Sequence, residues 1–326
     1  MDRENFSCFS VKQYTTVSSL MLAAKAGNCF AVRSLIDKEA KLQDIDGKTA
    51  LMYAAENGNF KCVELLVSHE ARIQDKFGKT ALMYAAEKGY YNCIEFLAKH
   101  EILMNDLDFK TALMYAVMNG HFKCINILSS EKMHRDVDGY SALMYAVIHD
   151  NVICCQYLVD YEAKLQDVKG RTALMHAAYR GSTNSIEILM KKEAELQDLD
   201  GMTALMHASI IGNFKSVELL AKQEAKHQDK NGKTALIHAT EKGNFKCVEL
   251  LCSKECMLRD NYGKSALVYA IENSNYRCIE LLRKVENSTI SRADREALMH
   301  LPNNAPPTNA QSIKQPQKPS FFVKRK

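Results

Sequence analysis

The sequence predicts an all-α solenoid of about nine stacked helix-turn-helix units joined by turn loops, and three observations carry that prediction. A string at residues 49 to 66, TALMYAAENGNFKCVELL, returns as TALMYAAEKGYYNCIEFL at 80 and as TALIHATEKGNFKCVELL at 234. With the Thr of TAL as first position, the frame falls at Ser18, Thr49, Thr80, Thr111, Ser141, Thr172, Thr203, Thr234 and Ser265; the step is 31 residues, broken once by a step of 30 between Thr111 and Ser141. One such unit is too small to bury its own apolar face and must lie against its neighbours.

The elements follow in chain order. Residues 1–17 form a leading segment or cap. Its opening, MDRENFSCFS, has acids in place of a basic n-region and no apolar stretch behind them, so no secretory signal is expected. The units run 18–48, 49–79, 80–110, 111–140, 141–171, 172–202, 203–233, 234–264 and 265–295, and a partial copy at 296–301 (EALMH) is stopped by Pro302. Within a unit, Thr49 is a good N-cap for a short helix whose Leu51, Ala54 and Ala55 share one face. Gly58 ends that helix. Asn59 caps a second helix, FKCVELLVSHE, with Val63, Leu65 and Leu66 inward and Lys61 and Glu64 outward. In the following QDKFGKT, Asp75 accepts backbone hydrogen bonds and Gly78 supplies the turn. Residues 302–326 hold all 5 prolines of the chain, with many Asn and Gln, and predict a disordered basic tail.

Composition narrows the class. The chain has 326 residues, is 47% apolar and contains no apolar run near the ~20 residues of a membrane helix, so no membrane insertion is expected. Eleven cysteines without a signal sequence suit a reducing compartment, the cytosol or nucleus. Net charge is +4, but Lys314, Lys318, Lys324, Arg325 and Lys326 lie in the tail, which leaves the repeats almost neutral. That balance argues against nucleic acid, which calls for a basic stripe.

At this point the residues resemble the ankyrin repeat, whose DxxGxTPLHxAAxxG pattern looks like the DIDGKTALMYAAENG of 44 to 58; the resemblance covers about 18 to 301. The unit is shorter than the family's usual 33, the family Pro is Ala or Ser in every copy, and Met52 stands where the family has His. The TALMYAA wording is further similar to ankyrin-only proteins of anaerobic protozoa. The resemblance implies a non-catalytic scaffold or adaptor that binds a protein in the concave groove formed by first helices and turns.

Several columns invite chemistry. GKT at Gly47, Gly78 and Gly232 lacks the earlier glycine of a phosphate loop, having Leu42, Ile73 and His227 there. The column Asp44, Asp75, Asp106, Asp136, Asp167, Asp198, Asp229 and Asp260 reads as turn capping, because repeats stacked ~10 Å apart cannot gather six oxygens around calcium. Cys62, Cys93, Cys124, Cys154, Cys247 and Cys278 read as packing residues, too far apart for disulfides. Cys252 and Cys256 flank a helix end and give only a weak metal signal. Tyr53, Tyr84, Tyr115, Tyr145, His176, His207, His238 and Tyr269 share one position; they either face a partner in the groove or shield the hairpin base. No metal site, cofactor, small-molecule substrate or catalytic set is expected.

Recognition is expected where the consensus breaks. Glu56, Glu87, Glu241 and Glu272 of the outer units become Met118, Ile148, Tyr179 and Ile210 in the central ones, beside His149, Arg180 and Ile211, with Tyr140 and Met202 in the turns. Together with Tyr115, Tyr145, His176 and His207 they predict an exposed apolar and aromatic stripe across repeats four to seven. Phe109 occupies a turn position that is otherwise Gly. In the tail, Gln315, Phe321 and Phe322 resemble the QxxΨxxFF box that docks on sliding clamps, with Lys318 at its aliphatic position. A cytoskeletal or assembly component is the alternative to an adaptor.

Overall fold

The computed structural model describes residues 16–286, in which the regular elements are seventeen α-helices and two 3-10 turns; the only β features among them are isolated bridges, Asn105 with Thr111 and Arg259 with Ser265. The helices come in pairs: α1 (Ser19–Lys25) with α2 (Cys29–Glu39), α3 (Ala50–Glu56) with α4 (Phe60–Glu70), α5 (Ala81–Lys88) with α6 (Tyr91–Glu101). In the fourth unit α7 (Ala112–Met118) is followed by 3-10 turns at Phe122–Cys124 and Ser129–Glu131. Pairing resumes with α8 (Ala142–Ile148) and α9 (Val152–Glu162), α10 (Ala173–Arg180) and α11 (Thr183–Glu193), α12 (Ala204–Ile211) and α13 (Phe214–Glu224), α14 (Ala235–Glu241) and α15 (Phe245–Glu255), and α16 (Ala266–Glu272) and α17 (Tyr276–Glu286). First helices pack on first helices and second on second, so a single apolar cluster runs from Leu20 to Leu282. The partial unit at 296–301, the tail motif Gln315, Phe321 and Phe322, and most of 1–17 lie outside the described residues.

Local chemistry explains the repeated letters. Thr49 is extended, and its Oγ1 accepts the amide of Met52, as Thr80 does for Met83. Ala54 and Ala55 are fully buried where first helices meet, which is why small residues recur there. Gly58 has φ +70, and a Cβ on it would sit 2.6 Å from the Tyr90 ring of the next unit. Asn59 corrects the sequence reading. It stands at the N-cap of α4 but makes no cap bond; its Nδ2 donates backward to the carbonyls of Ala24 and Lys25. Asn151, Asn213 and Asn244 do the same, so these side chains join repeats instead of capping helices, whereas Asn28 in the first unit does cap α2 by accepting the Ala31 amide.

The turns form a second set of joints. Asp75 Oδ1 accepts the amides of Phe77 and Lys79, both at 2.8 Å, as expected for a turn cap. Each turn is also tied to the next, with Leu107 N donating to Phe77 O and Val168 N to Asp138 O. Gln74 bridges the same gap through Nε2, bonded to Gly78 O and Asn105 O.

A glutamate column escaped the sequence reading. Glu70, Glu101, Glu131, Glu162, Glu193, Glu224 and Glu255 end the second helices, yet each is at most 2% exposed. A carboxylate there opposes the helix dipole. Its compensation lies elsewhere: Glu70 Oε2 accepts the Leu51 amide, in the first turn of α3, at 2.7 Å, and Oε1 accepts the Lys41 amide of the preceding unit at 3.0 Å. Glu193 repeats the pattern with Leu174 and Lys164. The donor from the preceding unit is held left-handed, with φ +67 at Lys41 and +71 at Lys164. Burial pushes these carboxyls above their usual range, against the pull of the two amides.

The one short repeat falls inside a helix. Phe60–Glu70 has 11 residues, whereas the matching segment Phe122 to Glu131 has one fewer and must reach the same two ends. Since a 3-10 turn rises ~2.0 Å per residue against ~1.5 Å in an α-helix, the chain stretches into 3-10 turns. Glu131 thereby still reaches Leu113 N at 2.7 Å.

Candidate functional site

The first-helix C-termini and the turns share one face, on which two positions act as a pair. In the outer units a Lys before the first helix reaches a Glu at its end: Lys48–Glu56 at 2.9 Å, Lys79–Glu87 at 2.8 Å, Lys233–Glu241 at 3.1 Å and Lys264–Glu272 at 2.7 Å. Lys48, Lys79 and Lys233 also sit over the tyrosine of the following unit, with Nζ 4.2 Å from the Tyr84 ring centre, 4.1 Å from that of Tyr115 and 4.6 Å from that of Tyr269. This face of the outer units is therefore closed by its own ion pairs.

Repeats four to seven exchange the pair. Lys110 with Met118, Tyr140 with Ile148, Arg171 with Tyr179 and Met202 with Ile210 occupy the corresponding positions. Lys110 turns to Asp108 at 2.9 Å, and Arg171 to Asp167 at 2.8 Å. Arg171 Nη2 also donates to the Tyr140 hydroxyl at 3.4 Å. Rings then gather in place of charges, with Tyr140 5.7 Å from Tyr145 and 5.2 Å from His176, and Tyr145 6.3 Å from His149.

The predicted stripe is less prominent than expected. Met118, Tyr140, Ile148, Tyr179, Met202, Ile210 and Ile211 are half-buried, and only His149 and Arg180 are exposed. The physical reason is packing against the neighbouring unit: Met118, Tyr140 and Met202 lie against the shared apolar cluster. Burial lowers the His149 pKa, and the nearby Arg180 charge lowers it further.

The tyrosine and histidine column is bonded to the aspartate column through its hydroxyls and ring nitrogens. Tyr53, Tyr84 and Tyr115 donate to Oδ2 of Asp44, Asp75 and Asp106, each at 2.6 Å, and Tyr145 makes the same bond to Asp136. His176, His207 and His238 place Nε2 2.9 to 3.0 Å from Asp167, Asp198 and Asp229. Burial favours neutral His176, so its Nε2–H is the donor to the carboxylate. Burial works against ionisation of Asp167, but the His176 ring and the Arg171 amide and guanidinium outweigh it and hold its pKa below the usual range. Tyr115 and Tyr145 are half-buried, His207 likewise, and His176 is buried. Their polar tips are thus engaged in bracing the turn, while Tyr53, Tyr115, Tyr145 and His207 stay half-buried. The equal spacing of the Asp and the ring, nine residues, is the sequence signal for this latch.

Among the described residues no three His, Cys, Asp or Glu side chains gather as a metal set, and no helix is long and apolar enough to cross a membrane. Among the described residues, Cys29, Cys62, Cys93, Cys124, Cys154, Cys155, Cys247 and Cys278 are free thiols. Cys29 Sγ, two residues off the cysteine column, lies 3.5 Å from Cys62 Sγ. Burial first, and then that contact, push the Cys62 thiol up to about 12.

Comparison with known families finds that the family model described as Ankyrin repeats (3 copies) matches residues 20–108, 101–167, 153–229 and 212–294. No curated protein matches the chain at a significant level.

Proposed function

Because the chain belongs to the ankyrin-repeat family, we propose that it is a non-catalytic scaffold or adaptor whose protein partner lies across the first-helix ends and turns of repeats four to seven. One observation carries this reading: the Lys–Glu pair that closes the face in repeats two, three, eight and nine is exchanged, at both of its positions together, for Tyr140–Ile148 and Met202–Ile210 in the middle. A purely architectural position has no reason to change in the middle of the stack and return to its old letters afterwards. Half-buried apolar and aromatic groups held by a rigid frame bind with little loss of side-chain freedom. The chain would do this in the cytosol or nucleus, where its thiols stay reduced.

The test grafts the outer pair onto the centre. Tyr140→Lys with Ile148→Glu, and Met202→Lys with Ile210→Glu, recreate pairs whose geometry the outer units already accommodate. In quantitative affinity capture with mass spectrometry, proteins retained by the wild type should be lost from the grafted chain. An identical set of captured proteins would remove this surface from the account.

A further inference from the structure

The second-helix layer carries a separate surface at the one place where its helix is broken. A groove of about 330 Å³ opens there, lined by Tyr91, Phe122, Lys123, Asn126 and Tyr157. Phe122 and Tyr157 stack at 5.9 Å with planes 25° apart, and Tyr91 and Tyr157 remain 44% and 45% exposed. Beside them Tyr161 is 56% exposed, with Lys132 Nζ 3.5 Å from its ring centre.

Charge changes at the same place. One outward position of the second helix is Glu64, Glu95, Glu187, Glu218, Glu249 and Glu280 in six units, all exposed. In repeats four and five it is Asn126 and Gln156, also exposed. The nearby Asp160 is paired with Lys192 at 2.7 Å. Missing helical turn, exposed rings and missing acid therefore coincide on two adjacent units, and Lys123 stands in the groove without the neighbouring Glu that Lys61, Lys215 and Lys246 have three residues on.

We propose that this groove docks a protein segment carrying Asp or Glu beside a large apolar or aromatic side chain, Lys123 meeting the carboxylate and the Phe122–Tyr157 stack meeting the apolar group. With Asn126 and Gln156 in place of the Glu of this column and Asp160 neutralised by Lys192, the groove selects for negative charge by reduced repulsion as well as by supplying a cation. Exposed aromatic rings provide contact area with little side-chain entropy to lose. The site is independent of the first-helix face.

A display library of random twelve-residue peptides panned on the full chain tests it. Counter-screening uses Asn126→Glu with Gln156→Glu, which restores the acid column on exposed positions, and Tyr157→Ala. The expected result is a set of peptides with Asp or Glu next to Phe, Leu or Trp, each bound at least about tenfold more weakly by both variants, with unchanged melting, and unaffected by Ile148→Glu with Ile210→Glu. Groove-dependent peptides that are neutral or basic would overturn the assigned chemistry, and the absence of any groove-dependent peptide would overturn the site. Peptides lost only with the Ile148 and Ile210 changes would speak for the first-helix face and against this one.

Discussion

Replacing Glu193 with Ala should cost the fold about 2–4 kcal/mol. The figure is built from what the carboxylate holds. Its Oε2 accepts the fully buried Leu174 amide at 2.7 Å, and an orphaned buried donor costs ~1–3 kcal/mol. Its Oε1 accepts the Lys164 amide at 2.9 Å, in a part-buried site that water can partly repair, worth ~0.5–1.5 kcal/mol. Lost packing of the side-chain stem adds ~1 kcal/mol, and relief of the carboxylate's burial subtracts a similar amount. Glu193→Gln keeps one acceptor and should lose about half as much. The pH dependence has a definite sign. Burial raises the folded pKa of Glu193 above its unfolded value of ~4.3, so its contribution is full below that value and declines as pH rises through the folded pKa. The stability gap between wild type and Glu193→Gln should therefore be wider at pH 4 than at pH 7. Urea unfolding at both pH values, with exposed Glu187→Ala as control, measures it. A Glu193→Ala midpoint no lower than the control's, or a gap that widens with rising pH, would refute the reasoning.

Other consequences are as direct. Phe109 has φ +62, where a non-glycine residue costs ~1–2 kcal/mol, while glycine loses ~0.5–1 kcal/mol through the unfolded chain. Phe109→Gly should therefore raise the melting temperature by about 1–3 °C, and a fall would show that the ring makes a compensating contact. Ser185 and Ser216 fill the cysteine column in repeats six and seven, with buried hydroxyls that have no hydrogen-bond partner. The double change to Cys should stabilise by about 1–2 kcal/mol in chemical denaturation; destabilisation would contradict the packing account of that column. Substituting residues 125–130 with VELLVSH, the text of residues 63–69, should restore a continuous second helix in repeat four. Circular dichroism at 222 nm should deepen and amide exchange there should slow, whereas unchanged exchange would mean that the deletion is not what broke the helix.

What the sequence revealed depended on whether a residue's role is local. Caps and turns were legible, since Thr49 and Asp75 act on amides within four residues of themselves. The helical pairing followed from apolar spacing and from Gly58. Long-range partners were not legible in that way. Asn59 has the right letter and place for a cap, but its carbonyl partners lie 34 and 35 residues back, and only packing brings them near. Glu70 was passed over because a charged residue at a helix end normally faces solvent; the clue was that it persists while His69, His100, Tyr161 and Lys192 vary beside its column. For the candidate site, the central substitutions were visible as broken consensus. Their pairing across eight residues, Lys48 to Glu56 against Tyr140 to Ile148, became apparent only when the ion pairs were placed. The stripe was expected to stand out because sequence shows which residues are apolar, not how far the next unit covers them.

On the proposed function, letters that repeat hold the stack and letters that do not repeat meet the partner. Titration calorimetry of a captured partner against the chain carrying Tyr140→Lys, Ile148→Glu, Met202→Lys and Ile210→Glu, run beside its melting curve, tests that division most directly. The account predicts an affinity weaker by about tenfold or more with the melting temperature held, because the grafted pairs are those of the outer repeats. Unchanged affinity, or loss of affinity accompanied by loss of the fold, would contradict it.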